Sequence, residues 1–247
     1  MIELFSFSGP EIILIAIFLF TSAWNMSVGP TGGVNFVATA VLLSPGAAVP
    51  IQALVEAAFG SYRLLLLRQF VDRAFLWQFV AGAVVGFAIG VGLRFIAAPS
   101  ENVLYIIMGS LILVTAWLPM AEVVARWRPF RVSVGMITSV IGLFAGGIGA
   151  LIAAAAERND SDHRQVIATM SGSLLFHHTA KAALFGVFGF SFVDHAPLIV
   201  ALLVSGLLGT WIGRQVLFDM PPHILKPTFK ALVTALACYL LWKGLAA

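Results

Sequence analysis

Long apolar runs, interrupted by glycines or short polar stretches, make up almost the whole chain. They lie at residues 10–28, 34–43, 46–67, 72–97, 101–119, 132–156, 165–187, 195–213 and 222–245. A β-strand that crosses a membrane needs about 10 residues of alternating polarity. Most of these runs are longer and are apolar on every side, as spanning helices are. The pattern therefore predicts an all-α polytopic membrane protein.

The amino-acid composition excludes several classes of protein. Of the 247 residues, 60% are apolar and 10% are charged, whereas about 25% of the residues in a soluble domain are charged. So few charges exclude a soluble enzyme, a nucleic-acid-binding module and a disordered chain. The 14 Lys and Arg residues exceed the 11 Asp and Glu residues by only three and are dispersed, so we interpret them as topology signals.

The two halves of the chain share a pattern. Phe70-Val71-Asp72 opens one run and Phe192-Val193-Asp194 opens another, and both aspartates are expected to be helix N-caps. Glycines four residues apart, which let helices approach closely in lipid, follow each of them. Three matches in the same order indicate an internal duplication. The matching glycines are Gly32-Gly33 with Gly146-Gly147, and Gly86 and Gly90 with Gly209 and Gly213.

The distribution of Lys and Arg predicts how the runs cross the membrane. Suppose that 10–43 and 132–156 are hairpins that return to the side they enter from, and that the N-terminus is outside. Only Arg94 and Lys243 then lie outside, and the inner residues are Arg68, Arg73, Arg126, Arg128, Arg131, Arg158, Arg164, Arg214 and Lys226. If 132–156 crosses once, as its length also allows, the split becomes six inside against five outside. The positive-inside rule favours the hairpins.

Each half is then a glycine-broken hairpin followed by three full spans, and the odd number of crossings gives the halves opposite orientations. The first repeat covers residues 1–119, a cytoplasmic connector covers 120–131, and the second repeat covers 132–247. Both termini are expected outside the inner membrane of a bacterial cell. Two inverted repeats are typical of secondary transporters, which hold the substrate near the bilayer midplane between interrupted helices.

The two glycine-rich breaks are the candidate substrate site. Gly29-Pro30-Thr31-Gly32-Gly33 cannot continue a regular helix, so the run that starts near Asn35 presents free N–H groups. Gly146-Gly147 would do the same from the other half. Two helix N-termini that converge on one point favour an anion, and Thr31 and Asn35 would add polar side chains. In the alternative interpretation, the glycines only allow tight packing.

Polar side chains recur at helical spacing on the runs that follow the breaks. Glu56 and His177 lie about 15–18 Å along their helices, near the middle of a hydrocarbon core about 30 Å thick, where an ionisable group indicates function. We expect Arg63, His177 and Lys181 to bind the substrate, and Glu56 or His177 to carry a coupled proton. The two stripes are Gln52, Glu56, Gly60 and Arg63, and Thr169, Ser173, His177 and Lys181.

Each of these residues also has a structural interpretation. Glu56 would pair with Lys181 or His178, whereas its separation of two helical turns from Arg63 is too large for a simple one-turn pair. Arg63 would extend to the inner face, and Lys181 would anchor the outer end of its helix. His177 and His178 point about 100° apart on a helix, so at most one of them is expected to face the site.

Other chemistries have no motif in the sequence. H-E-x-x-H, G-x-S-x-G and Walker A sequences are absent, and His177-His178 is a bare pair without further ligands at metal spacing. We therefore expect no metal, no cofactor, no catalytic residue and no nucleic-acid partner. The expected partners are a small anion and the lipid bilayer, and Gly86-x-x-x-Gly90 would serve a homodimer or the internal core equally well. Because Glu3 and Glu11 replace the basic residues of a cleaved signal peptide, we expect a mature N-terminus.

Several of these motifs resemble the TauE/SafE family of sulfite exporters and organosulfonate permease-like proteins. The similar segments are G-P-T-G-G-V-N-F at the first break, S-P-G-A-A at the next helix, the F-V-D helix starts and A-G-G-I-G in the second half. The resemblance covers essentially the whole chain, although the family often has G-x-G-G-G at the first break. It implies an inner-membrane transporter of sulfite, sulfoacetate or related sulfur compounds.

Repeat, breaks and resemblance together predict a secondary transporter of a small sulfur-containing anion, proton-coupled and working by alternating access. Two other functions are compatible with a polytopic membrane protein: an anion channel, and a membrane-embedded enzyme that acts on a lipid or a quinone. Neither of them explains the repeat and the paired breaks.

Overall fold

The computed structural model describes residues 7–28, 32–97, 99–118, 131–146, 148–157, 162–216 and 222–246. Every regular element in these ranges is helical, so the predicted all-α class is confirmed, and the predicted ends lie within three residues of the observed ones. The elements are α1 (Gly9–Val28), α2 (Gly32–Leu42), α3 (Pro45–Leu67), a 3-10 turn (Arg68–Phe70), α4 (Arg73–Ala97), α5 (Glu101–Trp117), α6 (Arg131–Gly142), α7 (Gly149–Ala156), α8 (His163–Val187), α9 (Ala196–Val216) and α10 (Pro222–Ala246).

Local signals in the sequence set several helix starts. The Ser44 hydroxyl accepts the backbone N–H of Ala47 at 3.2 Å at the start of α3, where Pro45 needs no N–H partner. Asp72 caps α4, because its Oδ1 accepts the N–H of Phe75 at 2.9 Å. The predicted N-cap role of Asp72 is thus confirmed.

The matching prediction for Asp194 is wrong. Helix α9 begins one residue later than that role requires, with Ile199 N–H donating to the His195 carbonyl at 2.9 Å. With Asp194 as N-cap, Pro197 would be the third helical residue, and proline has no N–H to donate to the cap. The backbone N–H of Asp194 donates instead to Ser191 Oγ at 3.4 Å, within the turn that precedes α9.

The apolar segment 132–156 is two helices, α6 and α7, separated by a break at residues 143–148. The segment is therefore not one continuous helix, and its return to the side it enters from, as opposed to a single crossing, stays a prediction. Gly146 lies in the break as predicted, whereas Gly147 lies outside the described residues. Residues 29–31 of the first break and 120–130 of the connector also lie outside them.

The most extensive helix contacts join the two halves of the chain: α4 with α6, α1 with α9, α3 with α8, and α5 with α10. Glycines make two of these crossings close. A Cβ built on Gly86 would collide with the backbone of Met136, and one built on Gly209 would collide with the carbonyl of Leu19. The Gly86 face therefore serves the internal core, one of the two roles considered for it.

The direction of each pairing follows from successive contacts along the helices. Helices α4 and α6 run parallel, because Gly82 lies against Val132 and Gly86 lies against Met136. Helices α1 and α9 run parallel too, through the contacts of Gly209 and Gly213 with Leu19 and Ala23. Helices α3 and α8 run antiparallel, because Gly60 lies against Leu175 and Gly172 against Leu64. Helices α5 and α10 are also antiparallel, with Gly109 against Ala237 and Gly244 against Asn102.

The outer surface of this bundle is apolar. Helices α4 and α9 contain segments long and apolar enough to cross a membrane, and most of each segment is not buried inside the protein. Large apolar side chains such as Phe95 and Ile96 are exposed, at 74% and 86%. Trp77, Trp117 and Trp242 are exposed as well. An apolar surface of this extent is typical of a protein surrounded by lipid.

We predict that Asp72→Ala destabilises the folded protein by about 1 kcal/mol through loss of the cap, with a few tenths more from the ion pair of Asp72 Oδ2 with Arg131 Nη2 at 3.3 Å. Asp72→Asn should cost less, because asparagine also caps helices. Asp194→Ala is the matched control and should be nearly neutral. Thermal unfolding in detergent measures all three, and equal losses at Asp72 and Asp194 would contradict the assignment of the caps.

Candidate functional site

Several polar side chains are buried where α3 packs against α8. His177 and Lys181 on α8 are 0% and 1% exposed, and Gln52 on α3 is 3% exposed. Lys181 is therefore not an anchor at the outer end of its helix, the structural role considered for it. Burial of such groups inside a bundle is costly unless they are paired or bind a ligand.

Glu56 lies at the centre of the charged part of this cluster and interacts with three of its residues. Its Oε1 accepts a hydrogen bond from Gln52 Nε2 at 3.1 Å, and its Oε2 lies 3.8 Å from Arg63 Nη2. It also interacts electrostatically with Lys181 on the facing helix. The expectation that Arg63 is too far away to pair with Glu56 is wrong, because helical side chains lean toward the N-terminus and arginine is long enough to span two turns.

Arg63 directs its guanidinium toward Glu56, while 29% of its side chain is exposed. Its Nη2 faces Glu56, its Nε is buried, and it interacts electrostatically with His178. With Arg63 and Lys181 against Glu56, the cationic groups outnumber the carboxylate. The arrangement favours an anion in the remaining space.

His177 connects the cluster to the second glycine break. Its ring lies against Gly142, the last residue of α6, and its centroid is 5.1 Å from the Phe87 ring of α4. The His178 ring lies 5.2 Å away, edge to face. Both histidines are buried, because α3, α4 and α7 all pack against α8, and the expectation that at most one of them faces the site stays a prediction.

Several polar atoms in this interior have no hydrogen-bond partner among the described residues. Most buried polar groups in proteins are hydrogen-bonded, so a concentration of exceptions marks a place for water or a ligand. The atoms are Gln52 Oε1, Arg63 Nε, Ser139 Oγ, Ser171 Oγ, His177 Nδ1 and Nε2, and His178 Nδ1.

The second glycine break lies next to α2, the helix that follows the first break. A Cβ on Gly146, in the second break, would meet the Phe36 ring in the first turn of α2 at 2.5 Å. Asn35, one residue earlier, is 4% exposed and its Oδ1 accepts a hydrogen bond from Thr21 of α1. No atom lies within 4 Å of a Cβ built on Gly33, which leaves open space at the start of α2. Gly32 begins α2, and Thr31 lies outside the described residues.

A buried Thr-Ser pair on each interrupted helix was not singled out from the sequence. Thr21 and Thr138 donate to the carbonyls four residues earlier, Ile17 at 2.8 Å and Val134 at 2.7 Å. Ser22 and Ser139 follow them and are 6% and 0% exposed. A comparison of Phe20-Thr21-Ser22-Ala23 with Ile137-Thr138-Ser139-Val140 would have found them. In the sequence, these short polar residues inside apolar runs are a weaker signal of a site than the glycines and the charged residues.

Thr169, from the second predicted stripe, has a structural role. Its Oγ1 accepts the backbone N–H of Asp72 at 2.9 Å and its carbonyl accepts the hydroxyl of Ser173 at 2.9 Å. Within the described ranges, no group of three or more His, Cys, Asp and Glu residues is arranged to hold a metal ion.

A helical bundle with an apolar outer surface and buried ionisable groups between its halves is the build of a membrane transport protein. The chain matches the model of the sulfite exporter TauE/SafE family over residues 14–240. It therefore belongs to this family of membrane transporters. Comparisons with curated proteins and with solved structures gave no match.

We predict that Gly142→Ala destabilises the protein by about 1–3 kcal/mol, because the added methyl group would collide with the His177 ring. His177→Ala in the same chain should recover much of that loss, a coupling that a double-mutant cycle measures by thermal unfolding. Gly92→Ala is the matched control, because nothing lies within 4 Å of its Cβ position. Additive effects of the two substitutions would show that the ring does not lie against Gly142.

Proposed function

We propose that the protein is a secondary transporter of a small sulfur-containing anion, namely sulfite, sulfoacetate or a related organosulfonate. Membership of the sulfite exporter TauE/SafE family supports this substrate class. The observation that carries the proposal is the cluster between the two halves in which buried Lys181 and partly exposed Arg63 accompany unpartnered polar atoms. A transporter needs such a site to compensate the loss of water around its substrate.

The two halves are proposed to form an inverted repeat that works by alternating access. The helices occur in the same order in each half, and the third helices of the halves, α3 and α8, pack antiparallel. The fifth helices, α5 and α10, do so too, as expected when equivalent helices have opposite orientations. The first helix of each half packs parallel to the fourth helix of the other. Transport would come from a rocking movement of one half against the other.

The substrate is proposed to lie between the glycine breaks and the α3–α8 cluster. Backbone N–H groups at Gly32 and Gly33 would approach it from one half, and those near Gly146 from the other. Asn35 would add a side-chain amide. Arg63, His177 and Lys181 would supply positive charge and further donors. Thr31 and Gly147 remain part of this proposal from the sequence.

A coupled proton is proposed to bind at Glu56 or His177. Glu56 interacts with Gln52, Arg63 and Lys181. A change in its charge would therefore alter the charge balance of the whole cluster. His177 lies beside the break, where a bound anion would stabilise an added proton on the imidazole.

The proposed topology places the cytoplasmic connector at the end of the bundle that carries most cations. Asp72 pairs with Arg131, and Arg164 stacks on Phe70, which brings these cations close to Arg73. Arg94 lies about 30 Å further along α4, and stacks on Phe185 instead. The positive-inside rule then places both termini outside the inner membrane.

Transport is tested by reconstitution into sealed liposomes, with uptake of labelled sulfite and sulfoacetate measured with and without an imposed pH gradient. Saturable uptake accelerated by the gradient is expected. Uptake of neither anion by folded protein would overturn the proposed substrate class, and flux that does not saturate would indicate a channel.

We predict that Glu56→Gln lowers gradient-driven uptake by at least about tenfold, because the amide cannot exchange a proton or balance Arg63 and Lys181. Glu101→Gln is the control, since that carboxylate is exposed at the start of α5. Anion binding by Glu56→Gln is measured separately in detergent. Full, pH-dependent transport by this variant would rule out a coupling role for Glu56.

A further inference from the structure

Ser139 is an unusual buried residue of α6. It is 0% exposed, and its hydroxyl has no hydrogen-bond partner among the described residues. Of the other buried hydroxyls among the described residues, Ser171 shares this lack of a partner, whereas Thr39 donates to the Asn35 carbonyl at 2.7 Å and Ser205 donates to the Ile15 carbonyl at 2.8 Å. A buried hydroxyl without a partner destabilises the folded state, and the described residues provide none for Ser139.

The surroundings of Ser139 are fixed by the residues one turn away on either side. Gly135 lies against the Phe79 carbonyl of α4, and Gly142 lies against the His177 ring of α8. Helical positions three and four residues apart are neighbours on one face, with about 5–6 Å between their Cβ positions. Ser139 therefore lies on the face of α6 that turns toward α4 and His177.

His177 has the same deficit as Ser139. Neither of its ring nitrogens makes a hydrogen bond of good geometry among the described residues, although the ring is fully buried and lies near the backbone of Thr138. The missing side chain at Gly142 makes room for the ring, and Phe87 packs beside it with centroids 5.1 Å apart. Ser139 thus lies one turn before the glycine that contacts the imidazole; both side chains are buried and able to donate hydrogen bonds, and the hydroxyl has no acceptor among the described residues.

We propose that Ser139 is a substrate-contacting residue, and that its hydroxyl and a ring N–H of His177 together bind an oxygen atom of the transported oxyanion. The proposal rests on the proposed transport function and adds a residue on the interrupted helix α6 to its site. An oxyanion of sulfur fits, because it offers several acceptor oxygens and carries a charge opposite to the cationic excess of Arg63 and Lys181 over Glu56. The first half has Ser22 at the corresponding position, against Gly209.

The test compares Ser139→Ala with the wild-type protein in detergent. Because the hydroxyl has no protein partner, the unliganded variant is expected to be at least as stable as the wild type in thermal unfolding. Its affinity for sulfite, read from the concentration that stabilises the protein against heat, should fall by about 10–100-fold, as for loss of a hydrogen bond to a charged group.

Ser205→Ala is the matched control. It removes an equally buried hydroxyl that has a protein partner, the Ile15 carbonyl, so this variant is expected to lose stability and keep its sulfite affinity. The opposite patterns in the two variants separate a substrate contact from a structural one.

The outcomes distinguish this inference from the proposed function. Sulfite binding by the wild type and an unchanged affinity in Ser139→Ala would overturn the role of Ser139 and leave the transport function standing. A less stable unliganded Ser139→Ala protein would show that the hydroxyl has a structural partner, which also overturns it. If the wild type binds neither sulfite nor sulfoacetate, the proposed function and this inference both fail.

Discussion

Close backbone contact between helices of opposite halves is the constraint on which the rest of the structure depends. At Gly86 and Gly209 a single methyl group would strike the backbone of the partner helix. In lipid, no hydrophobic driving force holds helices together, so association depends on packing and hydrogen bonds at such close crossings. The crossings fix α6 against α4 and α1 against α9, and they thereby hold the second glycine break next to α2. The polar interior exists only because these helices are held in place.

In that interior, several polar groups lack hydrogen-bond partners among the described residues, which is not expected of a purely structural core. Glu56, Gln52 and Arg63 contact one another, yet several neighbouring donors and acceptors have no partner among the described residues. A half-satisfied buried network lowers stability, and proteins keep such networks mainly at functional sites. In a carrier, these missing hydrogen bonds would serve substrate binding. An anion that enters the site would complete them, and they would offset part of the free-energy cost of removing the anion from water.

The positions of the helices could be predicted closely from the sequence. The length of an apolar run reflects the thickness of a membrane, and glycine breaks mark where helices end. Side-chain partners followed less well. Asp72 and Asp194 have identical local motifs, yet only Asp72 is a cap, because Pro197 removes the N–H that Asp194 would need. Glu56 and Arg63 are too far apart for the usual helical pair and still meet, because arginine is long. Ser139 was missed, since the match of Thr138-Ser139 with Thr21-Ser22 emerges only from a comparison of the two halves, in which glycines and charges are the stronger signals.

The two halves have their helices in the same order and differ in chemistry, and this difference bears on how a carrier would work. Thr21 and Thr138 make the same hydrogen bond within their own helices, which indicates that the interrupted helices share one local geometry. The residues that face this common frame are not equivalent: Thr21 also donates to Asn35 of α2, whereas beside Thr138 and Ser139 lies the ring of His177. In a symmetric carrier the outward-facing and inward-facing states would be equal in energy and would respond equally to pH. With an amide on one side and an imidazole on the other, protonation would favour one state over the other, which is the asymmetry that coupling to a proton gradient requires.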